Sequence, residues 1–471
     1  MIEARRLQRR FGDGFVAAAV ADLQEPWMRH ADAILDDDLL VAAVFEALGK
    51  RHPKSRTRGR RGAPAELVLR LLVLKHVRNW SYATVEREVR ANLVYRDFTR
   101  VGGDPVPDAK TMGRWGLAVG APVIEDLHRR LIAIAQQQHV VEGRKMRVDT
   151  TVVETNIHYP TDSSLLGDGV RVLTRTMKQV TAIAGTVGAT LRDRSRSVRH
   201  RLWEIGRIAR SKGAQRQDKL TRAYQRLVAT TSRVVGQAKR FSREIGAGVK
   251  RARTVLQHAA LEGLRQELET FVPRVQQVLR QTRARVFGGD THVKDKLLSV
   301  FEPSTEVIRK GKAGKPTEFG KMVKLQEAEH QIITEYAVYD HRPSDSDLLI
   351  PAIEAHTQTF GRAPRLVAAD AAFFSGANEA AAHALGVTRV CIPNANTTSA
   401  ARKRDQKKRW FKNGQTWRTG CEGRISVVKR RHGLNRSRYK GEDGMKRWVG
   451  LGVIADNLIN IGRVLATRPS P

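Results

Sequence analysis

Three carboxylates in a strongly basic chain stand where metal-assisted chemistry could be built. Asp149 lies inside the β-branched run Arg147–Val153 (RVDTTVV), Asp370 closes the short apolar run Leu366–Ala369, and Glu422 stands at the start of a basic helical pattern. Acidic side chains at strand ends converge over a sheet edge, where ligands gather in open α/β folds. Hard cations such as Mg²⁺ take oxygen ligands, typically a few carboxylates with water and substrate phosphate. Two such ions activate a water or a 3′-hydroxyl and stabilise the departing oxygen of an in-line phosphoryl transfer. Spacing alone leaves a competing reading open, in which an Asp at a strand end only caps the next helix.

Other reactive residues fit their surroundings less well. Glu154 lies beyond the useful end of its strand, Asp162 and Asp168 fall in a loop, and Asp340, Asp345 and Asp347 cluster around Pro343 as turn and cap residues. His158 and His292 have no His-x3-His or paired-cysteine spacing to make a zinc site, and no G-x-S-x-G elbow points to a serine nucleophile.

The elements that must position the three acids are legible in outline. Residues 1–140 read as helical: Leu67, Leu71 and Leu74 keep helical spacing behind Pro64, Ser81 caps a helix carrying Tyr82, Val85 and Val89, and Asp108 caps another. Val123, Ile124, Leu127 and Leu131 mark a further helix. The stretch Lys50–Pro64 (KRHPKSRTRGRRGAP) is a solvated linker or a DNA-contacting arm. The strand around Asp149 is followed by a basic helical tract, Leu166–Arg285, whose charges suit a helical hairpin with a solvated surface or a helix lying along a duplex. Strands return after residue 297, with Lys321–Leu325 and Gln331–Tyr339 forming a hairpin, Leu366–Ala369 leading to Asp370, and Val387–Ile392 as another strand. Ala400–Trp410 reads as a mobile basic loop, and helical patterns around Arg424–His432 and Trp448–Leu465 close the chain. Strands interleaved with helices on both sides of a helical insert indicate a mixed α/β fold.

Composition sets the partner class. The 471 residues hold 84 Lys and Arg against 48 Asp and Glu, a formal charge of +36. Such an excess opposes compact folding unless a polyanion is bound, and nucleic acid is the common polyanion. The 41% hydrophobic content suffices for packed cores. Two cysteines, Cys391 and Cys421, exclude a disulfide framework and suit a reducing cytoplasm. The opening MIEARRLQRRFGDGF lacks the apolar core of a signal peptide, so the expectation is a soluble cytoplasmic protein with no membrane segment.

Local sequences carry a resemblance. Val148–Ser163 (VDTTVVETNIHYPTDS) resembles the first-aspartate region of bacterial insertion-sequence transposases of the DDE type, and Arg365–Ser375 (RLVAADAAFFS) resembles their second-aspartate strand. That superfamily places Tyr, two residues, Arg, three residues, Glu, six residues and Lys around its glutamate. Arg418, Glu422 and Lys429 match, while Gln415 stands at the tyrosine position. The segments W-S-Y at 80–82 and P-D-A-K-T at 107–111 resemble the family's amino-terminal region.

The resemblance implies an α/β, ribonuclease-H-like fold: a mixed five-stranded sheet with flanking helices, an all-α N-terminal domain and a long helical insertion. The implied organisation is a DNA-binding or dimerisation domain over 1–140, catalytic segments over 141–165 and 286–471, and a basic insertion over 166–285. In several relatives the insertion is β-rich, so its role does not transfer to this helical one. Asp149 would bridge two Mg²⁺ or Mn²⁺ ions, with Asp370 and Glu422 each completing one coordination sphere. Arg418 and Lys429 would bind phosphates near the scissile bond, and Trp410 and Trp417 would stack on a frayed base or pack in the core. The implied activity is binding of terminal inverted repeats in double-stranded DNA, strand cleavage, and joining of 3′-hydroxyl ends to target DNA by a homodimer or larger assembly in the bacterial nucleoid. The alternatives are a metal-dependent nuclease of the same fold and a catalytically silent DNA-binding protein.

Overall fold

The computed structural model describes residues 2–6, 11–51, 54, 62–309 and 316–468. Most of the basic stretch within Lys50–Pro64, residues 52–53 and 55–61, lies outside them. The chain divides into two compact units, one of residues 1–156 and 306–471 and the other of residues 157–305.

The first unit begins with helices α1 (Phe11–Val20), α2 (Pro26–Leu35), α3 (Asp38–Arg51), α4 (Ala65–Val77), α5 (Tyr82–Ala91), α6 (Leu93–Phe98) and α7 (Ala109–Gln137). The expected caps form: the Ser81 hydroxyl accepts from the Thr84 amide and the Asp108 carboxylate from the Thr111 amide. The two helices expected after Asp108 run on as α7, with a break at Gly120, whose φ of 70° and ψ of 164° turn the chain ahead of Pro122. Helix α4 is buried over its whole length, including Arg70 and Lys75. Arg70 is satisfied there by Asp32 and Asp36, both at 2.6 Å, and by the Phe98 carbonyl.

Among the described residues the strands make one six-stranded sheet. They are β1 (Lys145–Glu154), β2 (Glu306–Arg309), β3 (Thr317–Glu327), β4 (Ile333–Val338), β5 (Leu366–Ala368) and β6 (Arg389–Cys391), running in the order β2-β3-β1-β5-β6 with β4 also on β3. The expectation was five. β3 is long enough that its outer edge pairs with β2 over Thr317–Gly320 and with β4 over Val323–Glu327, so the sixth strand extends an existing edge. β1 is antiparallel to β3 and parallel to β5, which is parallel to β6.

The remaining helices are α8 (Asp162–Ala184), α9 (Ser195–Arg210), α10 (Arg216–Gly246) and α11 (Val255–Gly288) in the second unit, and α12 (Leu349–Phe360), α13 (Gly376–Ala384), α14 (Ala400–Lys407), α15 (Arg409–Arg431) and α16 (Gly441–Ala466) in the first. Two expected loops are helical. Asp162 and Asp168 belong to α8, which Thr161 caps with a reciprocal Ser164 bond, and Asp162 pairs with Arg285. The supposed mobile loop at Ala400–Trp410 contains α14, capped by Ser399, because Ala, Lys, Arg and Gln are good helix formers whatever their charge.

Each face of the sheet has its own core. Met146 and Val148 of β1 pack with Val367, Val390 and the α12 residues Ala352 and Ile353 on one face. Val153 packs with Val428 of α15 and Trp448 and Val449 of α16 on the other. Helix α16 is long and apolar enough to cross a membrane, but most of that stretch is buried inside the protein. Its Leu451, Ile454, Leu458 and Ile461 join the core of α2, α4 and α7, so α16 ties the N-terminal helices to the sheet.

Candidate active site

Alternation along β1 puts Arg147, Asp149, Thr151 and Val153 on one face, opposite Met146 and Val148. The partners of Val153 and of Arg147 identify that face as the one covered by α15 and α16. The parallel register pairs Met146 with Val367 and Arg147 with Ala368. Continued by two residues, it brings Asp149 level with Asp370, just past the end of β5. Two of the three acids therefore stand side by side at the carboxyl end of adjacent parallel strands, where open α/β sheets collect ligands. Asp370 also does what the competing reading required, since its carboxylate accepts from the Ala372 amide at 2.9 Å and caps a 3-10 turn. One oxygen of Asp149 accepts from the Thr150 amide at 2.7 Å.

The third acid arrives on α15. Glu422 was expected at a helix start and lies instead well inside a 23-residue helix. Two glycines precede it in α15, Gly414 and Gly420, and both are where the helix meets the sheet closely. A Cβ on Gly420 would come within 2.3 Å of Arg147 Nη1, and one on Gly414 within 2.5 Å of the Cys391 sulfur. At 3.6 residues per turn, Arg418, Glu422 and Lys429 fall within about 40° of one line along the helix. The spacing that carried the family resemblance is thus one stripe of α15, flanking its sheet-facing side. Arg418 Nη2 holds Glu422 Oε1 at 3.0 Å, with the Glu422 side chain 57% exposed. Gln415 docks the start of this helix by donating from Nε2 to the Cys391 carbonyl at 2.7 Å, so at the family's tyrosine position a side-chain amide anchors α15 to β6.

Beneath the stripe is a charged network that sequence reasoning did not find. Arg147 is buried, bonds to the Glu327 carboxylate and the Trp417 carbonyl, and lies 4.8 Å from the Trp417 ring centroid. Burial pushes the Glu327 carboxyl up, against the opposing pull of Arg147 and Arg424. Burial, with Glu327 and Asp149 nearby, raises the Cys421 thiol well above its usual range, which places Cys421 electrostatically between the first acid and the network. Arg424 pairs with Asp456 of α16 at 2.7 Å with both side chains buried, and burial holds the Asp456 carboxyl up at about 6 despite that partner. The available signal was a charged residue, Arg147, in an otherwise β-branched strand; its partners are too distant in sequence to be inferred.

Trp410 and Trp417 are half-buried against the cluster of Ala368, Cys391 and Phe411, with Arg389 over Trp410 at 5.6 Å. Among the alternative acids, Glu154 accepts from Arg436 at 2.9 Å and Asp345 from the Thr150 hydroxyl at 2.8 Å. His158 lies 3.5 Å from Asp168, and His292 contacts the Thr291 hydroxyl. Among the described residues no three His, Cys, Asp or Glu side chains close on a common metal-binding point.

Two family models match the chain: a transposase domain (DUF772) over residues 21–116 and a transposase DDE domain over residues 383–462. Both models describe transposase domains, and together they support an insertion-sequence transposase of the DDE type. No curated protein and no solved structure matches it. The first transposase match spans α2 to α6 and the start of α7, and the second contains Arg418, Glu422 and Lys429. Asp149 and Asp370 lie outside both, so the case for them is the register of β1 and β5. DDE transposases use divalent metal ions to cut and join DNA. Asp149, Asp370 and Glu422 are carboxylates, the kind of oxygen donor such ions take. The register of β1 and β5 sets Asp149 and Asp370 at one level, while Glu422 is engaged with Arg418.

Proposed function

We propose that this transposase binds the inverted repeats at the ends of its element, cleaves there and joins the 3′-hydroxyl ends to target DNA, on a ribonuclease-H-like sheet. The observation that carries the reading is the shared level of Asp149 and Asp370 on the sheet face covered by α15, whose Arg418–Glu422–Lys429 stripe runs beside it. The antiparallel β1, β3 and β4 followed by the parallel β5 and β6 support that fold family.

Asp149, Asp370 and Glu422 are the residues that would hold the metal ions. Bound there, the ions would supply activation of the attacking oxygen and neutralise charge on the scissile phosphate. Glu422 joins the two aspartates by exchanging its contact with Arg418, which frees the guanidinium for a phosphate oxygen. Lys429, about two helical turns beyond Glu422, would contact the backbone further along the same strand. Arg147 and Cys421 touch no substrate and position Asp149 and α15 from below. Trp410 and Trp417 would meet DNA by their open edges, because arginines already lie over their rings.

Joining separates this reading from a nuclease of the same fold. Pre-cleaved element ends with free 3′-hydroxyls, incubated with target plasmid and Mg²⁺, should yield covalently joined products. Hydrolysis of target without joined product would assign the chain to the nuclease reading.

A further inference from the structure

The second unit, residues 157–305, holds Lys and Arg in more than twofold excess over Asp and Glu, and its helix α9 carries the most one-sided surface. Val198 and Ile205 of α9 are buried, with Leu202 and Ile208 packed partly against the same core. Opposite them, Arg196, Arg199, His200, Trp203, Arg207 and Arg210 are all exposed and fall within about a 100° arc of the helix. A helix face kept only for solubility mixes both signs of charge. This one does not. The single acid of α9, Glu204, turns aside to pair with Arg226 of α10. Other acids of the unit are engaged elsewhere, Asp193 with Lys178, Glu267 with Arg175, and Glu262 and Glu269 with Arg265. None of the four arginines on the face has a carboxylate within ion-pair distance among the described residues.

At the centre of the cationic face sits an indole. Trp203 is 59% exposed, with the Arg207 guanidinium 4.9 Å from its ring centroid and His200 at 6.3 Å. A large aromatic left in water within a cationic stripe is a feature of surfaces that are covered in use.

We propose that the outer face of α9 is a DNA-backbone contact surface, distinct from the stripe on α15. Arg196 to Arg210 spans roughly 21 Å at 1.5 Å per residue. Along a duplex that is about six base-pair rises of 3.4 Å, so the arginines of the stripe have several backbone phosphates within their span. Trp203 lies against the sugar-phosphate surface beside Arg207 and shields that contact from water. The partner is double-stranded DNA read by charge and shape, without base recognition. The inference rests on the reading of the chain as a DNA enzyme.

The test uses the full-length protein and a fluorescent duplex of arbitrary sequence, with affinity measured by anisotropy across a salt series. Each phosphate contact contributes about 0.9 to the slope of log affinity against log salt. Replacing Arg199, Arg207 and Arg210 together by Gln should lower that slope by about 2 to 3. An equal change of charge on exposed positions of α10, Arg222→Gln with Arg233→Gln and Arg240→Gln, should leave the slope within one contact of wild type. Trp203→Ala should weaken binding severalfold at an unchanged slope, since it removes cover and not charge. Circular dichroism confirms that the variants remain folded. An unchanged slope in the α9 triple variant, or an equal loss in the α10 control, would overturn the proposal while leaving the DNA reading intact. Wild-type protein that shows no salt-dependent binding would overturn both.

Discussion

Lys75 offers a quantitative test of how the N-terminal helices are held to the rest of the first unit. Its ammonium group lies 4.9 Å from the ring centroids of Tyr82 and Tyr439 and 4.7 Å from that of Trp448, joining α4 and α5 to α16 and the segment before it. His76 Nε2 is 3.4 Å away, Tyr82 and Tyr439 share a 2.7 Å hydrogen bond, and Arg438 lies over the Trp448 ring. The rings favour a cation by contact with their faces. Burial acts the other way and more strongly, and with the Arg438 charge it pulls the lysine down to about 7. Between pH 7.5 and 9 the unfolded chain keeps this proton and the folded protein has lost it. The unfolded state then binds more protons, so stability rises with pH. At about 1.4 kcal/mol per pH unit for one proton, the gain across this window is about 2 kcal/mol. Lys75→Met fills the same cage without a titrating group and removes that rise. Urea unfolding at a series of pH values, followed by tryptophan fluorescence, should find the variant more stable than wild type at pH 7.5, with the gap closing by about 2 kcal/mol at pH 9. The comparison cancels the cysteine and tyrosine titrations common to both proteins. Parallel stability profiles for the two would refute the reasoning, because the buried amine would then titrate alike folded and unfolded.

Other predictions follow from the network under α15 and from its outer stripe. Asp456→Leu should cost roughly 3–5 kcal/mol in denaturant unfolding by leaving Arg424 buried without its partner, and adding Arg424→Met should recover much of that loss. Gly420→Ala should destabilise by roughly 1–3 kcal/mol, since the new methyl meets an Arg147 side chain already fixed by Glu327 and the Trp417 carbonyl. Arg418→Gln and Lys429→Gln should each lower the salt slope of DNA binding by about 0.9 without altering thermal stability. Gln415→Leu, which removes the bond to the Cys391 carbonyl, should slow cleavage more than it weakens DNA binding, as expected of an anchor for the helix that carries Glu422.

The local features of this fold were legible because local chemistry fixes them. Ser81 and Asp108 announced their helices through side chains that can accept from the amide three residues on, and the β3–β4 hairpin was visible as two runs flanking the turn Gln326–His330. Asp149 stood out as an acid in such a run, and Arg418, Glu422 and Lys429 kept a spacing that only a helix turns into one line. Where composition and conformation diverged, the reading went astray. The charge of Ala400–Lys407 suggested a loop although its residue types favour helix. The basic pattern after Glu422 suggested that α15 began late, although the helix starts at Arg409 and glycine at 414 and 420 lets it approach Cys391 and Arg147 closely. The buried network was beyond reach for a simpler reason. Arg147 and Glu327 are 180 residues apart, Arg424 and Asp456 are 32 apart, and nothing along the chain marks one charge as the partner of the other.

We infer that Asp149, Asp370 and Glu422 form one metal-dependent site. Its most direct test is cleavage of labelled duplex carrying the element's ends, in Mg²⁺ or in EDTA, by wild type and by Asp149→Ala, Asp370→Ala and Glu422→Ala. Cutting should need the metal and be lost in each variant while all four proteins still bind the DNA. Metal-dependent cutting that survives any one of the three substitutions would contradict it.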